Sequence, residues 1–106
     1  MRAALSALLV LLSGTAASAN GVVEASFLDS PALGVTKAYR IYLPSRYATS
    51  TLRYPVIYLV HGWGVTERAW VEADGLNRTA DAMNLQAIVV MPDGDRSMYV
   101  NGHTAV

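Results

Sequence analysis

The chain has 106 residues, with eight basic and eight acidic side chains, a formal net charge of zero and no cysteine. Its charges form no basic stripe or cluster, so nucleic acid is not an expected partner. The lack of cysteine excludes a disulfide framework and thiol chemistry, and nothing in the composition calls for a cofactor.

Met1-Arg2 supplies a positive start, Ala3 to Leu12 an almost unbroken apolar run, and Ala17-Ser18-Ala19 a small-x-small cleavage pattern. The run is about ten residues long, against the roughly 20 that span a bilayer. Residues 1–19 therefore read as a cleaved secretory signal rather than a membrane anchor, and the protein as secreted or periplasmic. Removing them leaves 87 residues, from Asn20 onward, with seven basic and eight acidic side chains. That length allows one small domain and no second core.

Val22 to Leu28 and Lys37 to Leu43 alternate apolar and polar residues with β-branched and aromatic members, and Asp29-Ser30-Pro31 and Leu33-Gly34 break the pattern between them. An antiparallel pair is predicted. Pro44 to Thr51 is polar and turn-rich and reads as a surface loop. Val56 to Val60 is continuously apolar apart from the Tyr58 hydroxyl, as suits a strand covered on both faces, and Ala87 to Met91 is a second run of that kind. Between them Leu76, Ala80 and Met83 recur at helical spacing, with Asp74 placed to cap the helix start. A strand, a helix and a second strand make a right-handed βαβ unit and point to an α/β fold with a mainly parallel sheet.

Both runs end in conspicuous turns, His61-Gly62-Trp63-Gly64 and Pro92-Asp93-Gly94-Asp95, and in open α/β sheets the loops beyond the strands' carboxyl ends carry function. Glycines on either side of Trp63 allow a sharp turn with unencumbered N–H groups, as an oxyanion-binding loop requires. Glycines that merely end a strand give the same pattern.

A strand ending in His-Gly-aromatic-Gly, a helix, then a strand ending in Met-Pro-Asp-Gly resembles the N-terminal half of the α/β-hydrolase esterases of the esterase D type. That group includes S-formylglutathione hydrolases, feruloyl and acetyl-xylan esterases and the antigen 85 mycolyltransferases. The resemblance runs from about Val22 to Asn101, and "VVMPDGDRSMYVN" carries it most specifically. It implies an antiparallel β pair followed by a βαβ unit, as the incomplete N-terminal part of an α/β-hydrolase sheet. It also implies that the Trp63 backbone N–H is one donor of the oxyanion hole. Gly62, Gly64, Asp93, Tyr99 and Asn101 would border a small-molecule or carbohydrate-linked ester.

The resemblance stops short of the nucleophile. The family places its serine in G-x-S-x-G, followed by an acid and a histidine, and no such motif occurs here. Gly94-Asp95-Arg96-Ser97-Met98 comes nearest but lacks the closing glycine. Residues 20–106 are accordingly expected to be the N-terminal part of a serine carboxylesterase, inactive alone, with the edge of Ala87–Met91 left open. An acyltransferase of the mycolyltransferase type, or a non-catalytic carbohydrate-binding domain using Trp63, Trp70 and Tyr99, are the alternatives.

The remaining polar candidates read as structural. His61 precedes the proposed donor and is expected to have a structural role, and His103 has no carboxylate partner at a recognisable spacing. Asp93 to Ser97 imitates the start of a calcium loop, but the sixth position is Met98 and the twelfth Thr104, so no metal is expected. Asn77-Arg78-Thr79 is a formal glycosylation sequon on the predicted helix.

Overall fold

A computed structural model describes residues 20–97 and Tyr99. The signal reading of residues 1–19, and the readings of Asn101 and His103, lie outside the described residues.

Strand β1 (Val22–Ser30) pairs antiparallel with β2 (Val35–Leu43) in one unbroken register from Val22↔Leu43 to Ser30↔Val35. Gly34, at φ 68°, closes the turn through its N–H to the Ser30 carbonyl at 2.8 Å, a left-handed conformation that glycine adopts without a Cβ penalty. The predicted pair and its turn are thus present. The Pro44–Thr51 loop contains one 3-10 turn at Tyr47–Thr49.

Strands β3 (Val56–Tyr58) and β4 (Ile88–Pro92) run parallel, and the chain between them carries two helices, α1 (Ala69–Glu72) and α2 (Leu76–Ala82). The sheet order is β1-β2-β4-β3, with β4 antiparallel to β2 from Tyr39↔Pro92 to Tyr42↔Val89. This is the expected α/β arrangement of an antiparallel pair followed by a βαβ unit, but among the described residues the sheet is mixed rather than mainly parallel, because β4 pairs antiparallel with β2 as well as parallel with β3. Its core lies on one face, where Tyr42 of β2 and Val89 and Met91 of β4 are buried with Ala80 of α2, and Leu59, Trp70, Leu76 and Leu85 pack around them. Alternation along β4 produces this, since residues two apart share a face.

Four further expectations are corrected. Asp74 does not cap α2: Gly75 occupies the cap position at φ 65°, with no side-chain cap bond. The Arg78 guanidinium lies over Gly75 so closely that a Cβ there would meet Nη2 at 2.5 Å. Met83 falls beyond the helix and is exposed, while Leu76 and Ala80 face inward. The strand expected to be covered on both faces is β3, yet Val56, Ile57 and Tyr58 are all exposed, Tyr58 at 72%. The open edge is β3 rather than Ala87–Met91, because β4 inserts between β2 and β3 and is paired on both sides. An open apolar groove lined by Ile57, Leu59, Leu76, Met83 and Val89 runs beside β3.

The start of the described chain is tied to α2. Asp81 Oδ1 accepts the Gly21 N–H at 2.8 Å and the Tyr42 hydroxyl at 2.9 Å. Gly21 lies against the Tyr42 ring, where a Cβ would come within 2.5 Å. Burial, then the hydrogen bond to Asp81 and its negative charge, push the Tyr42 phenol up to about 12. The phenol is neutral when protonated, so the stability from this raised value is complete below about pH 10 and is lost as pH climbs through about 12. The difference in urea midpoint between the wild type and Tyr42→Phe is therefore expected to be constant up to about pH 10 and to shrink above it. A difference independent of pH across that window would contradict the network.

Candidate active-site loops

Because β3 and β4 are parallel neighbours, the turns that follow them open on the same edge of the sheet. Gly62, Trp63 and Gly64 form an exposed turn after β3, with Gly64 at φ 85° and Trp63 68% exposed. A Cβ on Gly62 or Gly64 would meet nothing within 4 Å, so it is the backbone conformation at Gly64, not crowding, that calls for glycine.

His61 beneath this turn is 3% exposed. Its Nδ1 lies 2.8 Å from the Gly62 carbonyl oxygen, which can only accept, so Nδ1 carries the proton. Its Nε2 lies 2.9 Å from the Gly94 N, which can only donate, so Nε2 presents its lone pair. The imidazole thereby joins the turn after β3 to the loop after β4. Asp93 Oδ1 sits 3.1 Å from Nε2 and accepts the Asp95 N–H at 2.9 Å. Burial works against the charge on Asp93. The Asp95 N–H bond and the positive charge of Lys37 outweigh it, and the carboxyl is held below the usual carboxylate range; with Nε2 unprotonated, His61 donates nothing to this carboxylate.

Tyr99 completes the contact. Its hydroxyl donates to the His61 carbonyl at 2.6 Å, and its ring meets the imidazole edge-on at a centroid distance of 5.8 Å. The ring covers Gly94, where a Cβ would come within 2.2 Å of it. Lys37, projecting from β2, pairs with Asp95 on the other side of the loop.

Of the predicted site residues, then, Gly62, Trp63 and Gly64 share the turn, Tyr99 is joined to it through the His61 carbonyl, and Asp93 lies in the loop that the Gly94 N–H ties to the His61 ring. Ser97 is exposed, and its hydroxyl accepts the Tyr99 N–H at 3.2 Å. Trp70 packs against the core, and its Nε1–H donates to the Val60 carbonyl at 3.3 Å. Asn77 is half-buried on α2. Among the described residues no group of three or more His, Cys, Asp or Glu side chains is arranged to hold a metal ion, and no helix is long and apolar enough to cross a membrane. Sequence reasoning missed the His61–Gly94 bond, the Tyr99 bond to the His61 carbonyl and the Lys37–Asp95 pair. Each joins residues more than 30 positions apart and leaves no local signature.

Residues 30–105 match the family described as "Putative esterase". Among solved structures, a ferulic acid esterase superposes with a TM-score of 0.70 at 25% identity, covering 78% of this chain and 34% of that one. The S-formylglutathione hydrolase of Staphylococcus aureus gives 0.63 at 23%, covering 80% and 35%. The ferulic acid esterase of Anaeromyces mucronatus, solved with ferulic acid, gives 0.63 at 18%, covering 83% and 34%. These likenesses establish the α/β-hydrolase fold, and the chain spans about a third of the length of each structure. No curated protein matches. With most of its length inside the family match and its strands and helices superposing on these hydrolases, the chain belongs to that esterase family.

Proposed function

We propose that the chain is the N-terminal part of a secreted serine carboxylesterase and supplies one side of its oxyanion hole. The observation that carries this reading is the exposed Gly62-Trp63-Gly64 turn at the carboxyl end of β3, held from beneath by the buried His61. In the reaction, a serine hydroxyl from beyond the described residues attacks the ester carbonyl, and the carbonyl oxygen gains negative charge as the tetrahedral intermediate forms. The Trp63 N–H and the N–H following the nucleophile receive that charge. The alcohol then leaves, and water releases the acid from the acyl-enzyme. Gly62, Gly64, Asp93 and Tyr99 border the ester. The open β3 edge and its apolar groove support the view that more of the protein packs there, and residues 1–19 support export.

The test is to express the full-length protein and measure hydrolysis of p-nitrophenyl acetate and methyl ferulate, with mass-spectrometric mapping of a fluorophosphonate adduct. Hydrolysis of either ester, with the adduct on a serine outside residues 20–106, is expected. An inert protein, or an adduct on Ser97, would overturn the proposal.

A further inference from the structure

Within the esterase reading just proposed, we infer that His61 and Tyr99 are positioning residues: each clamps one of two consecutive peptide planes by its carbonyl oxygen, so that the N–H groups of Gly62 and Trp63 are aimed away from the buried imidazole. The Gly62 carbonyl and the Trp63 N–H belong to the same planar unit, and the His61 carbonyl and the Gly62 N–H belong to the one before it. In a trans peptide the C=O and N–H point in opposite directions, and no cis bond is present among the described residues. The His61 Nδ1–H holds the Gly62 oxygen at 2.8 Å, and the Tyr99 hydroxyl holds the His61 oxygen at 2.6 Å.

Both carbonyls are therefore engaged on the buried side, and both N–H groups point the other way. Among the described residues neither N–H donates to a backbone carbonyl or a side chain. A carbonyl that accepts a hydrogen bond also polarises its own peptide, making the N–H at the far end a stronger donor. The clamp is itself anchored, because the Gly94 N–H to Nε2 fixes the imidazole against the loop after β4. Tyr99 sits at φ 57°, a left-handed conformation uncommon for an aromatic residue, and Gly94 leaves room for its ring. Backbone held in such a conformation has to be fixed by its surroundings, and here the phenol–carbonyl bond does so.

The experiment uses the full-length protein in two arms. In the first, 15N spectra of the wild-type imidazole are expected to give a protonated Nδ1 and an unprotonated Nε2 for His61, whether or not the protein hydrolyses esters; the opposite tautomer would overturn the clamp. In the second, His61→Leu is expected to lower kcat about ten- to a hundredfold with KM moving far less, as befits misplacement of a group that acts in the transition state. His61→Asn, whose amide can still reach the Gly62 carbonyl, should restore most of the loss. Tyr99→Phe should lower kcat about tenfold, with circular dichroism showing each variant folded. A folded His61→Leu enzyme with unchanged kcat, or an Asn variant no better than Leu, would overturn the positioning role. Inert wild-type protein would instead sink the esterase reading and the positioning role with it, leaving the tautomer measurement to decide the clamp alone.

Discussion

Replacing Trp63 by proline in the full-length protein is expected to lower kcat by about 10²–10³, because it deletes the N–H proposed above as an oxyanion donor, and one such donor is worth about 2.7–4 kcal/mol of transition-state stabilisation. Proline removes the donor and leaves the Gly62 carbonyl for His61 to hold. The residue before it is glycine, so the usual clash of a proline ring with the preceding Cβ does not arise. Trp63→Ala is the control. It keeps the N–H and removes only an exposed indole, so its effect should fall on KM, and a Pro variant as active as the Ala variant would remove the Trp63 amide from the mechanism. Steady-state kinetics on a p-nitrophenyl ester read both.

The largest effect on stability is expected at Met91. Its side chain is wholly buried among Tyr42, Ala80 and Val89, on a strand paired on both sides. Met91→Ala removes buried methylene and thioether contacts and leaves a cavity that a strand so held cannot close, at a cost of about 2–5 kcal/mol. Urea unfolding of the full-length protein measures it. Leu33→Ala, at the exposed hairpin turn, should stay within about 0.5 kcal/mol. Equal costs at the two positions would mean that the core does not lie on the α2 face of the sheet.

How far the fold could be read from the sequence depended on how local its causes are. The β1–β2 pair was legible because alternation and the Gly34 turn are both local, and β4 because five apolar residues ending at Pro92 can hardly be anything but a buried strand. For Val56–Tyr58 the same logic identified the strand and misjudged its surroundings. A continuous apolar run states what a strand can bury, and the coverage depends on which segments pack against it. At the start of α2, Asp74 has the right chemistry for a cap, but the chain turns through a left-handed Gly75 one residue later, under the Arg78 guanidinium. The Gly-Trp-Gly turn was legible as a motif. Its support was not, since nothing near His61 in the sequence announces that Gly94 and Tyr99 will meet it.

The order β1-β2-β4-β3 also bears on how the sheet is assembled. As the chain emerges from its N-terminus, β1 and β2 can pair at once across a short loop. β3 then has no neighbour to bond, because the strand that joins it to the hairpin is about 30 residues away and must slot between two strands already made. Closing that longer loop costs entropy before either ladder of β4 repays it. The hairpin should therefore acquire hydrogen-exchange protection first, with β3 and β4 gaining theirs together in a later, slower step. Until then β3 remains an unpaired apolar strand, the segment of the nascent chain most exposed to wrong partners.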